Sequence, residues 1–168
     1  MKEVRVSKAS AKDIEEIQRL YQQLDQYHVD IYPRLLHAQD APRPEAYFQV
    51  WIDREYADFL LAKANGKVVG FLSVQKQVHP RSGVFKHHEY AMVDGFFVEA
   101  GYQGQGIGSK LMDAAVEWAK DRGVTNIQTS VWHDNASAQE FYKGRGFTPL
   151  TTRLELDLQG EPIGKNHG

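Results

Sequence analysis

Cysteine is absent from the 168 residues, which removes disulfides, thiolate metal ligands and a cysteine nucleophile together. A dominant charge is missing too: 20 Lys and Arg stand against 22 Asp and Glu, a formal net charge of −2. The chain therefore has no general attraction for nucleic acid. No run approaches the roughly 18 apolar residues of a membrane span, and Met1-Lys2-Glu3-Val4-Arg5 has no apolar signal-like segment. The expected setting is cytoplasmic, with neither membrane nor nucleic acid as partner. His79, His87 and His88 have no metal-ligand spacing beyond an adjacent pair, so no metal is expected. Internal repeats and low-complexity stretches are absent as well. What remains is 42% hydrophobic and 25% charged, the composition of one soluble domain.

The periodicities predict a mixed α/β chain. Val4 and Val6 alternate with charged residues as a first strand, and Ser10 is placed to cap a helix buried through Ile14, Ile17, Leu20, Tyr21 and Leu24. Prolines 33, 42 and 44 make residues 29–44 an irregular crossing, followed by a helix over 45–53. Asn65-Gly66 is a hairpin signal between strands at 59–64 and 67–77. A strand at 90–98, a helix from Ile107, a strand at 127–132 and a helix at 135–143 follow. The alternation Leu154-Glu155-Leu156-Asp157-Leu158 predicts a last strand. Residues 1–158 read as a single domain and 159–168 as a flexible tail.

The most informative stretch is Phe96-Phe97-Val98-Glu99-Ala100-Gly101-Tyr102-Gln103-Gly104-Gln105-Gly106-Ile107-Gly108-Ser109. A buried strand runs into three glycines at alternate positions, and a helix with Ile107, Leu111, Ala114 and Trp118 on one stripe starts at once. Such a loop is an anion cradle, because free N–H groups and the helix dipole converge where side chains are missing. A Walker loop needs Gly-Lys-Ser/Thr, but Gly108-Ser109-Lys110 transposes the last two residues. A dinucleotide fingerprint starting at Gly104 would need its third glycine where Ser109 stands.

What fits is Q-x-x-G-x-G at Gln103, Gly106 and Gly108, behind Phe-Phe-Val. This resembles the acetyl-CoA motif of the GCN5-related N-acetyltransferases (GNAT). A second segment, Asn135-Ala136-Ser137-Ala138-Gln139-Glu140-Phe141-Tyr142-Lys143-Gly144-Arg145-Gly146-Phe147, is similar to the family's N-x-x-A-x-x-F-Y-x-x-x-G-F. Together the resemblance covers nearly the whole chain, from Val4 to about Leu158. It implies a central mixed, mostly antiparallel sheet flanked by helices, with acetyl-CoA as cosubstrate and an amine as acceptor. By the same resemblance, pantetheine lies along Phe96, Phe97 and Val98, and the pyrophosphate binds Gln103, Gly104, Gln105, Gly106, Ile107, Gly108 and Ser109. Asn135 contacts the cofactor arm, and Tyr142 is the general acid beside the sulfur. A free phenol has a pKa of about 10, so it holds a donatable proton at neutral pH.

Asp94 opens the strand and is the first candidate base, with Glu89 and His133 as alternatives. The closest motif likeness is to diamine N-acetyltransferases, in which two acids precede Phe-Phe-Val; here the second is Gly95. The acceptor pocket maps to the loop after the first helix and to the segment before the fourth strand, with Tyr27, Tyr32 and Glu89 as candidate contacts. Arg34 and Arg81 are candidates to pair an acceptor carboxylate. A small monoamine, an amino acid, or a protein N-terminus or lysine ranks above a polyamine. A non-catalytic acyl-CoA sensor on the same fold is the rival reading, and a nucleotide-dependent enzyme a distant third. The last strand region is a candidate contact for a homodimer.

Overall fold

The computed structural model describes residues 3–160, which form two compact units. The first runs to Leu24 and resumes over Ala41–Ser130; the second comprises Asp25–Asp40 and the chain from Val131. Helix α1, Ile14–Ile31, passes from the first into the second. Of the tail expected over 159–168, residues 161–168 lie outside the described residues.

The first unit is built on a five-stranded sheet in sequence order: β1 Val4–Lys8, β2 Ala57–Ala64, β3 Lys67–His79, β4 His88–Val98 and β5 Ile127–Thr129. The first four pair antiparallel and β5 joins β4 in parallel. The β2–β3 hairpin closes on Asn65 at φ 50° and Gly66 at φ 82°, the backbone that Asn-Gly adopts at low cost. One face of the sheet packs on α1 and on α2 (Glu45–Ile52), through a core that joins Ile17, Leu20, Tyr21 and Phe48 to Phe59, Leu61 and Phe71. The opposite face carries α3, Ile107–Asp121, whose buried positions Ile107, Leu111, Ala115 and Trp118 recur at helical spacing. Ala115 takes the place expected for Ala114, which is half-buried.

Two polar devices hold these helices. Ser10 donates its N–H and hydroxyl to Asp13 at 2.9 and 3.0 Å. A 3₁₀ turn at Ala11–Asp13 thus precedes α1, and the carboxylate closes the turn. On the other face, buried Asp58 accepts the Trp118 indole at 2.7 Å, Arg122 at 3.1 Å and Lys8 at 2.6 Å. That carboxylate ties α3 to the start of β2. Helix α3 stops where Gly123 turns left-handed at φ 68°.

The second unit contains the end of α1 and helix α4, Ala136–Gly144. Asn135 caps α4 as its type suggests, accepting the Ala138 N–H at 3.2 Å. Three sequence expectations need correction. Helix α1 continues to Ile31, so the irregular crossing begins later than residue 29. Strand β5 ends at Thr129, three residues short of Trp132. Residues 154–158 form no strand, and Leu154, Leu156 and Leu158 are 87%, 82% and 90% exposed. Period-two alternation alone cannot supply the neighbouring strand that a strand needs.

Candidate functional site

The first part of the site is a gap in the sheet. Strand β5 pairs with β4 only over Ala91, Met92 and Val93. At the last pair the Thr129 hydroxyl donates to the Val93 carbonyl at 3.1 Å, and β4 continues alone on that side through Asp94 to Val98. On its other side β4 remains paired with β3, with Phe71 opposite Phe97 and Gly70 opposite Val98. The Glu99 N–H donates to the Val69 carbonyl at 2.9 Å. That bond sets the antiparallel phase: residues 97 and 99 turn their backbone groups towards β3, so Phe96 and Val98 turn theirs towards the gap. An extended chain laid there would run along this edge of β4.

The glycine loop follows directly. The Val98 carbonyl accepts from the Gln103 amide at 2.8 Å, and the Gly101 carbonyl accepts from Gln105 at 3.1 Å. Both glutamine side chains thus brace the loop from within. Gly104 and Gly106 have φ of 72° and 77°, and a Cβ on either would meet nothing within 4 Å. The glycines are required by backbone conformation, and the space above them is open. Gly108 lies inside α3. Ile107, Gly108 and Ser109 are in the first turn of α3 after the Gly106 cap, where N–H groups have no intrahelical acceptor.

Asp94 is the extra residue of a β-bulge. Gly95 faces Ser73 and Val93 faces Val74, so Asp94 has no opposite number. Its carboxylate accepts from the Gln75 amide at 2.7 Å. Desolvation by the surrounding protein raises its pKa above the ordinary 3.8, with the Gln75 bond and the Arg54 charge pulling the other way. A Cβ on Gly95 would stand 3.0 Å from the Tyr21 hydroxyl, from Ser73 Oγ and from the Phe71 ring. The missing second acid is thus a packing fact, since the tyrosine already occupies that space. Glu89 pairs with Lys76 at 2.6 Å, and that hydrogen bond holds its pKa below the ordinary carboxylate value.

In the second unit, Asn135 Oδ1 accepts from the Tyr27 hydroxyl at 3.1 Å and the Ser137 hydroxyl at 3.2 Å, besides its cap bond. Tyr32 is buried, its ring 4.5 Å from Trp132 and its hydroxyl accepting the Asp134 N–H at 2.9 Å. Both tyrosines therefore seat the turn that launches α4. Tyr142 is buried at 8% exposure, edge-on to Phe141 and Phe147. His133 is exposed, and Arg34 pairs with Glu155 at 3.0 Å.

A sequence profile of the acetyltransferase (GNAT) family matches residues 17–147. The chain belongs to the GNAT family. An uncharacterized N-acetyltransferase of Methanocaldococcus jannaschii is 36% identical over 101 residues, 60% of this chain and 43% of that relative. An aminoglycoside N(6')-acetyltransferase of Stenotrophomonas maltophilia is 28% identical over 124 residues, 73% of this chain and 80% of that one. This GNAT chain thus spans less than half of the length of the first relative. In three dimensions it is similar to a mutant of the BH1408 protein from Bacillus halodurans, with a TM-score of 0.88 at 21% identity, over 92% of this chain and 99% of that one. The aminoglycoside N-acetyltransferase AAC(6')-Iy in complex with CoA gives 0.73 at 15% identity, over 94% and 95% of the two chains. These likenesses show the GNAT fold, a five-stranded mixed sheet between helices.

Sequence reasoning missed Gln75, Tyr21 and Arg54 around Asp94. The β3–β4 register brings Gln75 there, the contact at Gly95 brings Tyr21, and the charge of Arg54 acts on the carboxylate, and no local motif carries any of the three.

Proposed function

We propose that this GNAT protein transfers the acetyl group of acetyl-CoA to a primary amine, on a small molecule or a peptide, by direct attack. The observation that carries the proposal is the side of β4 that β5 leaves uncovered beyond Val93, running straight into a left-handed glycine loop at a helix N-terminus. The gap suits the two amides of a pantetheine arm, and the loop suits a pyrophosphate. The family motif assigns Asn135 to the cofactor arm and Tyr142 to the sulfur.

In this reading the amine nitrogen bonds to the thioester carbonyl carbon, and the carbon–sulfur bond breaks. The carbonyl oxygen gains charge as it does so, and the Val98 N–H is the donor proposed to stabilise it. Asp94 takes the ammonium proton, directly or through a water, Tyr142 gives its proton to the departing thiolate, and the second proton that the nitrogen sheds as the amide forms restores the phenol. Asp94 suits the base better than Glu89, because its pKa is raised while that of Glu89 is lowered by Lys76. The absence of cysteine fits a route without a thioester on the protein. Residues 1–158 act as one catalytic domain in the cytoplasm, and the exposed leucines of 154–158 suit contact between two copies.

The test is thiol release from acetyl-CoA across a panel of amines. Amine-dependent thiol release is expected, and Tyr142→Phe should lower kcat roughly hundredfold without altering the circular dichroism spectrum. Tight acetyl-CoA binding with no thiol from any amine, and no effect of Tyr142→Phe, would make the chain an acyl-CoA sensor.

A further inference from the structure

We propose that Glu99 is a positioning residue for the acetyl-CoA loop, held in place by Arg19 and Lys67. This rests on the acetyltransferase reading above and concerns the same cofactor site. Glu99 follows Val98, the last residue of β4, and caps the 3₁₀ turn Ala100–Tyr102 that carries the chain into the glycine loop. The Gln103 and Gln105 side chains bond to the carbonyls of Val98 and Gly101. Those braces stiffen the loop but tie it to nothing beyond its own segment. Glu99 supplies the outer anchor. Its N–H donates to the Val69 carbonyl at 2.9 Å, and its carbonyl accepts the Tyr102 N–H at 2.8 Å. One carboxylate oxygen meets Arg19 of α1 at 2.5 Å, and the other meets Lys67, the first residue of β3, at 2.9 Å.

The two cations are themselves fixed. Arg19 also donates to the Val68 carbonyl at 2.9 Å and pairs with Glu16 at 3.0 Å. The Lys67 ammonium lies 5.9 Å from the Tyr102 ring centre, so one lysine faces both ends of the 3₁₀ turn. The Glu99 carboxylate is partly buried, and its bonds, that to Lys67 foremost, hold its pKa below the ordinary carboxylate value. An ionised acid therefore stands at the entrance to a cradle for an anion. Charge alone argues against an acid there, because a carboxylate repels a pyrophosphate. Arg19 and Lys67 offset that repulsion, and what the acid contributes is position: α1, β3 and the loop are joined at its two oxygens. A loop held in this way has less ordering to do when the pyrophosphate arrives.

The experiment is calorimetric titration of CoA into the full chain, with thermal melts alongside so that affinity is read for folded protein. Glu99→Ala should weaken CoA about tenfold, the effect of a loop that is competent only a tenth of the time. Glu99→Gln keeps the shape and an oxygen that accepts from the cations, so its affinity should fall between those of Glu99→Ala and the parent. Arg19→Met should weaken CoA as well. Combined with Glu99→Ala it should add little, because both remove the same contact. Loss of charge by itself has the opposite sign: without the carboxylate the site is more positive, and CoA would bind more tightly. Affinity that is unchanged or higher in Glu99→Ala, whatever its melting temperature, overturns this inference alone. If Glu99→Ala does not fold, the same result in Glu99→Gln overturns it. So do losses from Arg19→Met and Glu99→Ala that simply add. A parent protein that binds no CoA overturns the acetyltransferase reading with it.

Discussion

Thr129 gives its hydroxyl to the Val93 carbonyl at 3.1 Å, and with this pair the β4–β5 ladder ends. A side chain here replaces the next backbone partner, and β4 goes on with one flank uncovered. The proposed acetyl-CoA site begins at that point.

Val98→Pro tests the uncovered flank. The Val98 N–H faces away from β3, so proline removes a donor to the thioester without taking one from the β3 ladder. Turnover is expected to fall about a hundredfold, the cost of one oxyanion donor. Urea unfolding should show a stability loss of about 1 kcal/mol or less, since no bond in the β3 ladder is removed.

Gly106→Ala separates conformation from occupancy. Nothing lies within 4 Å of the added Cβ, so the loss of stability should be only the left-handed strain, about 1–2 kcal/mol. The methyl group would also stand where the pyrophosphate approaches. Calorimetry should therefore show acetyl-CoA affinity reduced about tenfold or more, beyond what that strain explains.

Asp94 should impose two pH dependences of opposite sense. Its carboxyl is desolvated and its pKa lies above 3.8. As a base it works only when ionised, so kcat/KM should rise with pH through the raised value, and Asp94→Asn should remove that limb. For stability the sign reverses. The folded state binds this proton more tightly than the unfolded chain, so the contribution is complete below 3.8 and is lost as pH rises through the folded value. Thermal melts should accordingly find Asp94→Asn more stable than the parent at pH 7, with the gain gone at low pH.

Asp58→Ala addresses the scaffold alone. It leaves the Trp118 indole and Arg122 without their shared acceptor in the core, and a loss of about 3 kcal/mol is expected. Denaturant unfolding measures it. The affinity for acetyl-CoA of the fraction that remains folded should be near that of the parent.

Much of this could be read from local patterns. Asn65-Gly66, the α3 stripe, the Gly123 stop and the Asn135 cap all act within a few residues of themselves, so their residue types announce them. The period-two leucines at 154–158 misled because a strand exists only by pairing, and pairing is not a local property. The candidate site was legible along the glycine loop for the same reason that the loop works: backbone N–H groups are positioned by chain conformation. Around Asp94 it was not legible. Tyr21 and Gln75 lie 73 and 19 residues from it in sequence, and reach it only through the packing of α1 and the register of β3.

The central claim is direct transfer of an acetyl group from acetyl-CoA to an amine, and following a labelled acetyl group through a single turnover tests it most directly. With excess protein, labelled acetyl-CoA and an amine acceptor, mass spectrometry should find all label leaving on the amine as an amide. One free thiol should form per amide, and no acetylated protein should appear at any time. Label held on the protein before the amide forms would contradict direct attack. Acetyl-CoA that stays intact with every amine would contradict the acetyltransferase account itself.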